Sequence, residues 1–432
     1  MVVETFRLRI PKTEELTKKL AKWLGISVAA AAAALLLVGC GNSSSSSGSN
    51  TNNKTITFWY GGDADTAVKP MVDAFTKKTG IKVKIQSIPW SQYNDKLLTA
   101  AASKSGPDLI LMGTTGMANY VSSKSLMDIS KEVKSDKNIS PNNYFEGSVK
   151  TTEFNGKYYA VPWYVETRVL YYRKDLLKQV GYNEAPKTWD QLYDAATKLS
   201  KRGKNMYGFN VDFSEPTFGF MFARQNGATL IKGKTPQFNK KPMVEALDYL
   251  AKFYKNGASP KQDLKLAIGQ SFGGKAPIPM FISGPWMMNS VKQDAGLKDD
   301  QWGVAVLPKG KDNNMSNTGG GNLAVFNYSK NKSAALKLLK YLSTKDSQLQ
   351  YYKNSDSMPT LKSAWTDKSL SDSRIQVFRK QLNDSEPMPL IKQWDQIGQN
   401  YLKAWEPVAM QGASVQKAMD QLNSQTEQLL NK

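Results

Sequence analysis

Residues 55–112 follow a strand-helix-strand-helix-strand order, and this run limits the possible folds more than any other stretch of the chain. TITFWY (55–60) is a short β-rich run. AVKPMVDAFTKKTG (67–80) sets Val68, Met71, Val72 and Phe75 at helical spacing and ends at Gly80, where a glycine closes a helix. IKVKIQSI (81–88) alternates as a strand does. SQYNDKLLTAAAS (91–103) reads as a helix with Ser91 as its N-cap. DLILM (108–112) reads as a buried strand, and GTTG turns after it. This order predicts an α/β fold with a largely parallel sheet and helices on both faces. The pattern restarts after residue 165 with LYYR, a helix over KTWDQLYDAATKLSKRG (187–203) and a strand at YGFNV. Two such blocks in 432 residues predict two α/β lobes, and no short internal repeat is visible.

The segment before residue 54 has a different character. Arg7, Arg9, Lys12, Lys18, Lys19 and Lys22 precede the apolar stretch LGISVAAAAAALLLV (24–38). That stretch suits the core of a signal peptide and is short of the roughly 20 residues a membrane span needs. It ends in Leu37-Val38-Gly39-Cys40, and Cys40 is the only cysteine of the chain. This ending resembles a bacterial lipobox, which implies cleavage before Cys40 and acylation of its thiol. Gly41 to Asn53 is Ser, Gly, Asn and Thr without an apolar residue, as expected of a flexible tether. The reading is a signal peptide over 1–39, a tether over 40–53, and a protein held by lipid on the extracellular face of the membrane.

Composition excludes several chemistries. There is no histidine, so Ser-His and Cys-His nucleophiles and most zinc sites are absent. One cysteine rules out an internal disulfide framework. The net charge is +21, but the lysines are scattered, as in KKTGIKVKI and KNKSAALKLLKYL, without an Arg-rich block or nucleic-acid motif. Solvated lysine faces are expected, not nucleic-acid binding. No cofactor or metal site is expected. Ala228 stands where a P-loop before Gly233-Lys234-Thr235 would need glycine.

Several blocks, in order, carry a resemblance. They are TITFWYGGDAD (55–65), GPDLILMGTTGMANYVSSKSLMDI (106–129), GKYYAVPWYVETRVLYYRKDLLKQVGYNEAPKTWDQL (156–192), PMFISGPWMM (279–288) and NTGGGNLAVFNYSKNKSAALKLLKYLS (317–343). Over 54–432 the chain resembles the extracellular solute-binding proteins of ABC importers, in the carbohydrate-binding branch related to maltose-binding protein. The resemblance implies a two-lobed, periplasmic-binding-protein-like type II fold, each lobe a mostly parallel sheet flanked by helices and joined by hinge strands. The implied crossings lie near Pro162–Glu166, near Gly319–Leu323 and around 370–376. They place 54–163 and 324–372 in lobe 1, and 164–323 and 373–432 in lobe 2.

A sugar site needs aromatic rings for apolar C–H faces and polar groups for hydroxyls. Alternation puts Tyr164 and Glu166 on one side of a strand, with Arg168 on that side too and Trp163 on the other, in packing. Thr114, in Gly113-Thr114-Thr115, follows the carboxyl end of a strand, where open α/β sheets bind ligands. Gly320 and Asn322 offer a backbone N–H and an amide. By resemblance, Trp286 is a stacking platform, Glu166 and Glu215 are hydroxyl-binding carboxylates, and Asp63, after two glycines, is a ligand-binding acid with Asp65 as its alternate. Trp394 lies near a second aromatic platform of the family. Maltodextrin binders of the family carry a Trp and charged residues where Met112, Thr115 and Gly116 stand here, which counts against maltodextrin itself.

These features predict a monomeric receptor, not an enzyme. It closes around a di- or oligosaccharide and delivers it to membrane permease subunits driven by a separate ATPase. A same-fold receptor for a polyol phosphate or polyamine is the alternative. A secreted glycoside hydrolase using Asp63 and Glu166 is the remaining one.

Overall fold

The computed structural model describes residues 55–62, 64–212 and 214–431. Cys40, the apolar segment before it, the tether and Asp63 lie outside these residues. Within them, β1 (Thr55–Gly61) is buried over most of its length, as a strand covered on both faces must be. Ile56, Phe58 and Tyr60 face one hydrophobic core, and Trp59 faces another with Tyr93 and Leu97. Helix α1 (Lys69–Thr79) buries Met71, Val72 and Phe75. It stops at Gly80, whose φ of 73° suits glycine and whose N–H donates to the Thr76 carbonyl at 2.9 Å. β2 (Lys82–Ile88), α2 (Trp90–Ser103) and β3 (Leu109–Gly113) complete the block. Pro89, not Ser91, precedes the first turn of α2, and no side chain caps that helix. Proline's fixed φ serves as the entry instead.

The chain continues through β4 (Val161–Glu166) and β5 (Val169–Arg173) to α3 (Trp189–Ser200), α4 (Phe218–Gln225) and α5 (Lys241–Lys255). Then come β6 (Met280–Ser283), α6 (Met287–Asp294), β7 (Trp302–Ala305) and β8 (Gly319–Val325). Last are α7 (Lys332–Leu342), α8 (Lys345–Ser355), β9 (Met358–Pro359), α9 (Ser373–Asn383), α10 (Trp394–Gln411) and α11 (Val415–Leu430). Among these described helices, none is long and apolar enough to cross a membrane.

Two sheets organise the elements. The larger has the order β9-β4-β8-β3-β1-β2, and the smaller is β6-β5-β7. The parallel pairing expected from the sequence holds for β1 with β2 and with β3. The other pairings differ: β8 runs antiparallel to both β3 and β4, β9 is antiparallel to β4, and the smaller sheet is antiparallel throughout. The reason is chain direction, because β8 returns from the smaller sheet and enters the larger one against its neighbours.

The strand pairings locate the passage of the chain between the sheets. Tyr164, Val165 and Glu166 pair with Gly321, Gly320 and Gly319 inside the larger sheet. The expected limits at 163/164 and 323/324 therefore fall within strands. The direct passage between sheets is Thr167-Arg168, linking β4 to β5. The expected strand YGFNV is an irregular segment with only an isolated bridge from Asn210 to Phe281. Gly208 and Phe209 instead donate backbone bonds to the Ala258 carbonyl.

Packing fixes the ends of β4. Trp163 is fully buried, donates its Nε1–H to the Leu342 carbonyl at 3.0 Å and stacks on Tyr351 at 4.2 Å. Beside the smaller sheet, α4, α5, α10 and α11 enclose a second core with Phe220, Leu247, Tyr401, Trp405 and Met419. Arg173 ends β5, buried, in a two-bond pair with Asp175 at 2.8 and 2.7 Å and a bond to the Phe272 carbonyl.

Candidate functional site: the cleft between the two sheets

A cleft of about 480 Å³ opens where the carboxyl ends of β3 and β4 meet the first residues of β8 and the amino end of α10. Its size lies in the range of small-molecule sites. From the larger sheet it takes Trp90, Asn94, Gly113, Thr114, Thr115, Tyr164, Glu166, Gly319 and Gly320. Facing these are Arg168, Glu215, Pro216, Thr217, Asn317, Trp394, Asp395, Gly398 and Gln399. Carboxyl strand ends leave unpaired backbone groups and loop side chains exposed, which is why α/β sheets place ligands there.

Six residues anticipated from the sequence line this cleft together: Thr114, Tyr164, Glu166, Glu215, Gly320 and Trp394. Glu166 stands at the end of β4. Burial pushes its carboxyl above the usual carboxylate range; the Arg168 guanidinium opposes that shift and Glu215 adds to it. Glu215 accepts from the Thr217 N–H and hydroxyl at 3.1 and 2.8 Å through one oxygen. Its other oxygen faces Arg168 Nη2 at 3.7 Å. The acid that pairs with Arg168 is thus Glu215 and not Glu166. Gly320 has φ of 121°, and a Cβ there would lie 2.3 Å from the Tyr164 carbonyl oxygen. Only glycine lets β8 pass so close to β4.

Other anticipated residues are placed differently. Asn322 is buried in the sheet, and its amide donates to the Thr151 hydroxyl at 3.0 Å. A bulge between Gly321 and Asn322 turns it away from the cleft. Trp394 does border the cleft but is only 3% exposed and packs on Phe220 at 5.1 Å, so its ring faces are largely covered. Trp286 is half-exposed at the start of α6 and reaches the cleft through Arg168, whose guanidinium lies 4.5 Å from the centre of its ring.

Trp90 escaped the sequence reading. It is 47% exposed, packs on Tyr93 at 5.1 Å, and covers the backbone of Gly61 at the end of β1. Its signal is present in SIPWSQ, a tryptophan directly after the carboxyl end of a strand. Arg168 and Asn317 were also missed as cleft residues, because nothing in their local sequence separates a lining group from a packing one.

Known proteins place this architecture. The bacterial extracellular solute-binding protein family matches residues 60–349. The chain belongs to this family. A galactooligosaccharide-binding protein of Bacillus subtilis is 27% identical over 386 residues, covering 85% of this chain and 87% of that one. The solved sugar-binding protein MalE from Xanthomonas citri is 29% identical with a TM-score of 0.80, covering 88% of this chain and 98% of that one. An ABC transporter solute-binding protein from Thermotoga lettingae, solved with α-D-tagatose, is 25% identical with a TM-score of 0.75 and covers 88% and 100%. The architecture is the two-lobed type II periplasmic-binding-protein fold. The family is one of binding proteins.

Proposed function

We propose that the protein is a carbohydrate receptor of an ABC importer, closing around a di- or oligosaccharide and presenting it to a membrane permease served by a separate ATPase. The observation that carries this reading is the cleft itself. One exposed indole, Trp90, stands among three carboxylates, a guanidinium and the hydroxyl-bearing loop after β3. Rings suit sugar C–H faces, and the polar rim suits hydroxyls. The galactooligosaccharide-binding relative and the MalE neighbour support the substrate class. Thr114 and Thr115, not a tryptophan, follow β3, which favours a saccharide other than maltodextrin.

The mechanism is a population shift. A sugar touching residues of both sheets favours the closed arrangement by its differential affinity for it, with Thr167-Arg168 as the link between β4 and β5. No bond of the ligand is broken. Asp63 is a ligand-binding acid in this reading, and Cys40 carries the lipid that keeps the receptor at the extracellular face as a monomer.

The test is a thermal-shift panel of neutral mono-, di- and oligosaccharides, polyols, sugar phosphates and polyamines, with chromatography of each sugar afterwards. Binding to the native state raises the melting temperature. The expected result is a shift with one saccharide class, recovered unchanged. A shift only with a polyamine or phosphate ester, or release of reducing ends, overturns the reading.

A further inference from the structure

Arg168 and Asn317 stand on the two chain segments that pass between the sheets, one after β4 and one before β8. The segments are tied together, since the Arg168 N–H donates to the Ser316 hydroxyl at 3.0 Å and that hydroxyl donates back to the Arg168 carbonyl at 2.9 Å. Both side chains line the cleft. Both also carry a buried polar atom without a partner among the described residues: Arg168 Nη1, a donor, and Asn317 Oδ1, an acceptor. Asn317 is 6% exposed. Such atoms are costly to leave unpaired, so a native cleft whose adjoining wall segments carry two of opposite polarity is built for something that supplies both partners.

An unpartnered guanidinium N–H first suggests an anion. The surroundings argue otherwise. Glu215 faces the other end of the same guanidinium at 3.7 Å, Asp395 lies on the same wall, and Glu166 lines the opposite one. Among the described lining residues Arg168 is the only cation, against three carboxylates. A carboxylate or phosphate entering here meets more negative charge than positive. A hydroxyl is neutral, accepts through its oxygen and donates through its hydrogen, and so matches a donor and an acceptor at once. The Trp286 ring and Glu215 hold the guanidinium in place, which lowers the ordering cost of that contact.

We infer that Arg168 Nη1 and Asn317 Oδ1 form a donor–acceptor pair that reads hydroxyls of a neutral saccharide, and that this pair sets the preference for neutral over anionic sugars. The inference rests on the carbohydrate-receptor reading and deepens it. Arg168 and Asn317 contact the ligand directly, while Trp286 positions Arg168.

Calorimetry on the full chain in detergent separates the possibilities. The probes are neutral saccharides including lactose, maltose and raffinose, together with lactobionate, glucose 6-phosphate and spermidine. The wild type is expected to bind a neutral saccharide and to reject the anions. Arg168→Met and Asn317→Leu are each expected to weaken that binding about 10- to 100-fold, the range for losing a buried hydrogen bond to a charged or desolvated group. Without sugar, Asn317→Leu should melt no lower than wild type, because it removes an unpartnered buried atom. A structural role predicts the opposite, a lower melting temperature with unchanged affinity. Should Arg168→Met not fold, Arg168→Lys and Asn317→Leu carry the test. Unchanged saccharide affinity in both variants, or tighter wild-type binding of lactobionate or the phosphate than of any neutral sugar, overturns the pair. Absence of binding to every neutral saccharide in the wild type overturns the receptor reading, and this inference with it.

Discussion

The indole of Trp286 supports the guanidinium of Arg168, 4.5 Å from the ring centre, and the same guanidinium reaches Glu215 at 3.7 Å. A residue at the start of α6 thereby holds a side chain that lines the cleft from the passage between β4 and β5. The contact connects a half-exposed tryptophan to a cleft whose wall it does not form.

Trp286→Ala should weaken saccharide binding by about ten-fold, because a desolvated cation–π contact contributes up to about 2 kcal/mol and Arg168 loses its support. Trp286→Phe should recover part of the loss. Calorimetry measures both. Equal affinities in all three proteins would show that the ring neither touches the ligand nor positions Arg168.

Trp90→Ala should lower affinity by about five- to fifty-fold, with a stability change within about 1 kcal/mol, since half of the ring faces solvent. Quenching of tryptophan fluorescence on sugar addition should shrink in the same variant. A variant that binds normally but melts far lower would make Trp90 a cover for the Gly61 backbone and nothing more.

Gly320→Ala and Gly319→Ala form a controlled pair. At Gly320 a methyl group meets the Tyr164 carbonyl and the backbone φ is positive; at Gly319 the nearest atom is a Glu166 oxygen at 4.0 Å. Gly320→Ala should cost on the order of 2 kcal/mol or more and lower the melting temperature by several degrees. Gly319→Ala should melt close to wild type. Similar melting of the two variants would refute the close approach of β8 to β4.

Asp356 gives a pH signature. It ends α8 with a φ of 58°, and burial pushes its carboxyl up to about 6, against the opposing pull of Lys292. The folded protein therefore holds a proton that the unfolded chain has already released between about pH 4 and 6. Its contribution to stability is full below that window and is lost as pH rises through 6. Asp356→Asn keeps the left-handed cap, which asparagine tolerates. The variant should melt with wild type near pH 4 and above it at pH 7.5. A constant difference across that range would mean that Asp356 does not titrate in the folded state.

If Cys40 is acylated, the protein should partition with membranes, and mass spectrometry should find lipid on the peptide that begins with Cys40. Cys40→Ser should release the protein to the soluble fraction with its sugar affinity intact. Soluble wild-type protein would dismiss the anchor without touching the cleft.

Much of the fold was open to reading from local pattern. The spacing of Val68, Met71, Val72 and Phe75, and Gly80 after them, determined a helix and its end, because period and glycine chemistry act within one turn. Alternation in β4 separated Trp163, which packs under Leu342, from Tyr164 and Glu166, which face the cleft. Tertiary structure decided the rest. The direction of β8 depends on where the chain returns from, so its two pairings in the larger sheet, with β3 and β4, are antiparallel where a parallel order was expected. One bulge after Gly321 took Asn322 out of the cleft, and packing on Phe220 covered the ring of Trp394. Arg168 found Glu215, 47 residues away, and Trp286, farther still. Local sequence specifies what a residue is able to do; whether it lines a site depends on distant segments that fold against it, and those contacts leave no mark in the neighbouring residues.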